Sequence, residues 1–391
     1  MDFWQHRWNG SLQFDTACQN KKQEIDIMDN TKQHFYWLDA LRFIAAFMVL
    51  LSHARNTFFP AFGDLPADQQ NIFSMALTMF CRMGHEAVII FFVLSGFLVG
   101  GRGWERIQNG TMNVSGYAID RFSRIYPPLL AAVLFYFVTS CVIPGTPFSW
   151  ATAIGNLLNL QGICCKSLVS PFWSLSYEVW FYVILGALAF MLKATKDRTK
   201  RIGIILLVGA TSFFVLGLKM HYLLIWFMGA VAYIVRPQKK SLFILLASFI
   251  GFFASVVYWQ LSKDTRSLEV AIEGTNKEFL EVLMSLMACL FIQQVILFEP
   301  KRRFAMMTEK WIGNMAKFSY TLYLSHRIVF LWIIAFIWPK DTCQFTPKGV
   351  LIFVAILLIT LICCWGIYWV SERYSPMIKK SLKKRFINEN V

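Results

Sequence analysis

The chain has 391 residues, of which 57% are hydrophobic and 16% charged, with a formal net charge of +15. A water-soluble core cannot hide that much apolar surface, so the composition excludes an ordinary soluble domain and points to a polytopic membrane protein. The positive charge would suit nucleic acid only if the basic residues did not sort themselves between apolar spans.

Residues 1–34 are polar and of mixed charge, with no apolar run. They read as a cytoplasmic tail and not as a signal peptide, which needs a short hydrophobic stretch and a small-residue cleavage site. Met28 opens "MDNTKQHFYWLDALR" and would also serve as a start, so the pattern leaves open whether residues 1–27 take part in function.

A spanning helix needs about 20 mostly apolar residues. Ten stretches qualify: 36–54, 86–101, 125–144, 172–192, 202–218, 221–236, 241–261, 279–297, 316–338 and 349–370. The second and sixth are short. "FSMALTMFCRMG" reads as a kinked or interfacial extension of the second, and 148–162 as a piece that lies in the interface or re-enters. The expected fold is therefore an all-α integral membrane protein of about ten transmembrane helices, its membrane domain covering 35–372 and a basic cytoplasmic tail 373–391.

Counting Lys and Arg on alternate sides of these spans gives 27 on the side of the termini and 9 on the other, with Arg42 and Arg327 inside spans. A threefold asymmetry that alternates through ten spans is a positive-inside pattern, and it predicts that both termini are cytoplasmic. Topology thereby accounts for the charge, and no nucleic-acid partner is needed. Nine cysteines include no CxxC pair; Cys164–Cys165 and Cys363–Cys364 are vicinal, and no Cys/His spacing predicts a metal site.

Against this apolar background the intramembrane polar residues stand out. "YWLDALRFIAAFMVLLSHARN" carries Asp39, Arg42 and His53. Eleven residues are almost three helical turns, so Arg42 and His53 lie ~16 Å apart along one face, within ~20° of each other. A single lipid-free face with both groups is the expected reason that the helix keeps them. Asp39, three residues before Arg42, is expected to pair with it. Arg121 and Arg124 fall at the cytoplasmic mouth of the third span, where Arg102 and Arg106 read as ordinary topology residues. Glu178 is placed in the outer half of the fourth span and needs a partner there. His326 falls near the middle of the ninth. Ser95–Gly96 reads as a close helix contact. His85–Glu86 is a weak motif, because adjacent residues do not share a helix face.

Five stretches, taken in order, resemble the membrane-bound acyltransferase-3 family, whose members O-acylate cell-surface glycans. They are the Arg42–His53 pair, "FFVLSGFLV" (Phe91–Val99), "RFSRIYPPL" (Arg121–Leu129), "WSLSYEVWFY" (Trp173–Tyr182) and "SYTLYLSH" (Ser319–His326). The resemblance covers about 35–375 and implies the standalone form, without a hydrolase-like extension. It implies an O-acyltransferase that takes an acyl group, acetyl first, from acyl-CoA as donor substrate, with no permanently bound cofactor. The acceptor would be a surface polysaccharide or lipid-linked saccharide, and the place the bacterial inner (plasma) membrane, in contact with lipid. His53 would be the general base, with Arg42 and Glu178 in the catalytic group. Arg121 and Arg124 would hold the donor's phosphates as two guanidinium forks. Trp173, Ser176 and His326 would contact substrate, although Ser174 and Ser176 could instead cap a helix break and His326 could only bond between helices. A transporter or flippase of a glycan or acyl intermediate remains the competing class, and a glycan polymerase a third. Oligomeric state is not readable from the sequence.

Overall fold

The computed structural model describes residues 35–193, 197–263, 276–298, 302–340 and 342–387; the expected N-terminal tail, 1–34, lies outside the described residues. The chain separates into the units Met1–Tyr36 and Trp37–Val391, and the fold below is that of the second. Among the described residues nine helices are long and apolar enough to cross a bilayer, and the tenth expected span is a shorter apolar helix, Met220–Ile234. The described residues contain no β-strand, only an isolated bridge between Gln161 and Cys165. The protein is an all-α integral membrane protein.

Helix α1 (Tyr36–Phe58) runs as one rod through Arg42 and His53. α2 (Ile72–Cys81) is capped by Asn71 and Ser74, with Ile72, Phe73 and Phe80 turned outward. α3 (Gly84–Ser95) passes through a wide turn, Gly96–Gly101, directly into α4 (Arg102–Gln108), so the short second span is part of a longer rod. α5 (Val114–Val142) starts a full eleven residues before the expected third span and carries Pro127 and Pro128 in its interior. Proline is ordinarily confined to the first turn of a helix, but inside a bundle neighbouring groups re-satisfy the carbonyls that it frees. Arg121 and Arg124 therefore sit on the helix itself. α6 (Trp150–Leu157) is too short to span; Trp150, Ile154 and Leu158 face out while Asn156 is buried.

α7 (Phe172–Lys193) pairs with α8 (Asp197–Leu216), and α9 (Met220–Ile234) packs on α3 and its wide turn. α10 (Leu242–Lys263) lies along α11 (Lys277–Val295), and α12 (Arg302–Phe336) along α13 (Pro347–Val370). Within the basic C-terminal stretch, α14 (Ser375–Phe386) docks on α5, with Lys379 Nζ 2.9 Å from Asp120 Oδ1.

Burial sorts the helices into an inner and an outer set. The most apolar stretch of the α2–α4 rod and that of α12 are each 67% buried, whereas that of α8 is 17% buried, with Ile205, Val208 and Leu216 outward. One core cluster joins Ala46, Leu50 and Ala54 of α1 to Leu322 and Phe330 of α12 and to Ile356 of α13. That packing brings the His53 face of α1 against α12.

A second contact, between α3 and α9, is made through glycines. A Cβ added at Gly96 would collide with the Trp226 carbonyl oxygen, and one at Gly229 with the Val93 carbonyl oxygen. Small residues let backbones approach this closely, and backbone atoms cannot rotate aside. Gly96→Ala is therefore expected to destabilise the bundle by about 1–3 kcal/mol, read as a lowered thermal midpoint in detergent; an unchanged midpoint would show that the seam yields.

Candidate active site

α1 and α12 meet at two imidazoles. His53 Nδ1 lies 2.8 Å from His326 Nε2, and the rings are near-parallel, 16° apart with centroids at 5.1 Å. His326 is wholly buried, its Nδ1 2.9 Å from the Leu322 carbonyl one turn back on α12. His53 is only half-buried. One residue beyond His326, Arg327 donates to Thr57 Oγ1 at 2.7 Å, which pins α12 to α1 one turn from His53. His326, expected either to contact substrate or to bond between helices, has both ring nitrogens engaged within the protein and no open surface.

The second polar group is a narrow cavity of about 60 Å³ whose walls include Arg42, Arg124, Glu178, Tyr182, Tyr320 and Tyr323. Arg42 is held by Asp39 at 3.1 Å, the pair the spacing predicts. Glu178 accepts from the Tyr182 hydroxyl one turn away on α7, and Glu178 and Tyr182 both act on Arg124. Glu178 thus groups with the two arginines and not with His53, contrary to its expected place among the outer polar groups. The Tyr182 hydroxyl in turn accepts from Ser95 Oγ at 3.3 Å, and Ser95 Oγ accepts from the Trp226 indole at 3.2 Å. The structure separates the two arginines of "RFSR": Arg124 lines the cavity, while Arg121 stacks its guanidinium over Tyr182 at 5.4 Å and Tyr117 at 5.9 Å.

Tyr323 connects the two groups. It lines the cavity, its hydroxyl lies 2.6 Å from Ser174 Oγ, and its ring stands 6.4 Å from that of His326, three residues on. A lane of polar groups therefore runs from Arg42 and Arg124 past Tyr323 to the imidazole pair.

Two of the expected substrate contacts lie elsewhere. Ser176 is fully buried and donates to the Asn159 carbonyl at 2.7 Å, alongside the Trp180 indole at 2.9 Å. Asn159 has φ +57°, so this carbonyl closes a left-handed turn after α6, and Ser176 is a brace for that turn. Trp173 stacks on His85 at 6.2 Å and is flanked by Phe92, Tyr177 and Tyr222. His85 bonds not to its neighbour Glu86 but to buried Glu281 on α11, at 2.7 Å, and His221 meets the other oxygen of Glu281 at 2.7 Å.

The sequence reading missed Tyr182, Tyr320, Tyr323 and Glu372. The tyrosines stand in stretches it quoted, and the three-residue step from Tyr323 to His326 would have placed those two on one face. Glu372, just after α13, accepts from the Thr321 backbone N–H at 3.0 Å and its hydroxyl at 2.6 Å, within the field of Arg124 and Arg42. A carboxylate beside the last apolar run, ahead of six basic residues, was its one signal. A larger cavity of about 370 Å³ lies on another flank of α1, against Leu41, Ala45, Met48 and Phe252; Glu86 is its single ionisable lining residue.

With this geometry in view, comparison with known proteins separates the classes left open by the sequence. No solved structure matches the chain. Acyltransferase MdmB of Streptomyces mycarofaciens is 31% identical over 157 residues, a match that spans 37% of this chain and 37% of that relative. The family model described as an acyltransferase domain matches residues 35–369, a stretch that holds the cavity, the tyrosine link and the imidazole pair. The chain belongs to the acyltransferase-3 family.

Proposed function

We propose that this membrane acyltransferase moves a short acyl group, acetyl first, from cytoplasmic acyl-CoA to a hydroxyl of a surface polysaccharide or glycolipid, in a plasma (inner) membrane with both termini cytoplasmic. The observation that carries this reading is the lane from two half-buried arginines to a half-buried imidazole within one bundle. Family membership supports acyl transfer, and the charge asymmetry supports the orientation.

Arg42 and Arg124 would face the donor, a polyanion, where guanidinium groups match phosphate geometry. Arg121 acts at one remove by holding Tyr182, which holds Glu178. The acceptor hydroxyl would lose its proton to His53 as its oxygen attacks the thioester carbonyl. The carbon–sulfur bond then breaks, and the departing thiolate takes the proton that His53 accepted, which returns the imidazole to its neutral form. No acyl-enzyme is needed, because neither Ser174 nor Ser176 touches a base: the first faces Tyr323 and the second Asn159.

The test is transfer of labelled acetyl from acetyl-CoA, supplied at the cytoplasmic face of proteoliposomes, to candidate glycans on the other side. His53→Ala is expected to lower kcat by about 10²–10⁴-fold; glycan acylated at the normal rate by that variant would remove His53 from the mechanism. Passage of label or glycan across the bilayer with no acyl transfer to any of them would favour a transporter. Arg124→Ala is expected to raise the KM for acyl-CoA about 10–100-fold, the scale of one charge-assisted contact. Ser176→Ala is the contrasting case: both kinetic constants stay within about twofold while stability falls by about 1 kcal/mol, measured as a lower melting midpoint.

A further inference from the structure

The imidazole pair holds more information than proximity. A carbonyl oxygen only accepts, so the 2.9 Å contact with Leu322 requires a proton on His326 Nδ1. His326 is wholly buried between the edges of Tyr323 and Phe330, with the Arg327 cation next in sequence and no carboxylate paired to it among the described residues. A charge there would be uncompensated, so the ring is neutral and its single proton is already placed. Its Nε2 consequently bears a lone pair. The 2.8 Å bond from His53 Nδ1 then requires that His53 be the donor. In its neutral form His53 therefore carries its proton on Nδ1 and its lone pair on Nε2, on the far side of the ring from His326.

We propose that His326 is a positioning residue that fixes the tautomer of His53, so that His53 Nε2 is the atom that takes the acceptor's proton. The inference rests on the acyl-transfer reading, since it assumes that His53 acts as the base. The clamp from Arg327 to Thr57 holds α12 against α1 beside the two rings, and turning His53 over would cost it the bond to His326. When Nε2 takes a proton, the existing Nδ1–H bond to His326 becomes charge-assisted and strengthens as charge develops. Here a neutral imidazole does what a carboxylate does behind a hydrolase histidine, and its fixed direction comes from a backbone carbonyl.

The experiment uses the full chain in lipid nanodiscs with ¹⁵N-labelled histidine, the His53 signals being assigned by their loss in His53→Ala. The wild-type protein is expected to show His53 protonated at Nδ1 and bare at Nε2, a reading that needs no variant to fold. His326→Ala is expected to release that preference and to lower kcat about 100-fold with the KM for acetyl-CoA unchanged. His326→Gln, whose side-chain oxygen can accept from His53 Nδ1, is expected to restore the tautomer and at least a tenth of the rate. Finding His53 protonated at Nε2 in the wild type, or full kcat in His326→Ala, would overturn the proposal. If the wild type transfers no acyl group at all, the function reading fails while the spectrum still decides the tautomer.

Discussion

Lipid offers no hydrogen bonds, and every polar group that this chain carries into the bilayer must find its partner within the protein. The positions of α1, α5, α7 and α12 follow from that constraint. Arg42 turns to Asp39 and to the cavity it shares with Arg124 and Glu178; His53 turns to His326; Arg327 turns to Thr57. The apolar surfaces that remain, on α8, α10 and α13, face outward and supply no partners. A bundle sorted in this way has a polar interior because its helices were left no other place to put these groups.

The polar interior is divided. Arg42 and Arg124 gather with Glu178 and the cavity tyrosines, while the His53–His326 pair sits apart beside Arg327, joined through Tyr323 and free of any carboxylate contact among the described residues. Under the proposed reaction, such a division would set the polyanionic donor beside the guanidinium groups and the acceptor beside the imidazoles. Strong fields belong where phosphate must be held. A base that must give its proton back works better beside a partner that does not bind the proton permanently.

What the sequence made legible was what is periodic along one chain. Hydropathy located the spans, and the eleven-residue step placed Arg42 and His53 on one face, because both signals are written within a single helix. Pairings between helices were not legible. Glu178 is two turns below the start of α7 in any reading, but whether it meets His53 or Arg124 depends on how α7 is turned against α5. Ser176 lies in a stretch shared with known acyltransferases, yet its hydroxyl is taken by Asn159, whose left-handed backbone carries no mark in the sequence. The early start of α5 was hidden by Pro127 and Pro128, which signal a boundary in water and are tolerated within a bundle.

The glycine seam between α3 and α9 reaches further than packing. Trp226, whose carbonyl lies against Gly96, also starts a sequence of donors: its indole gives to Ser95, Ser95 to Tyr182, and Tyr182 to Glu178. Each dipole in that sequence points the same way, toward the carboxylate, and aligned dipoles reinforce one another in a low-dielectric interior. The seam therefore sets two quantities at once: how closely two backbones approach, and how much negative potential the cavity presents to Arg124. A packing contact made through two glycines thereby shares its residues with the chain of donors that ends on the carboxylate.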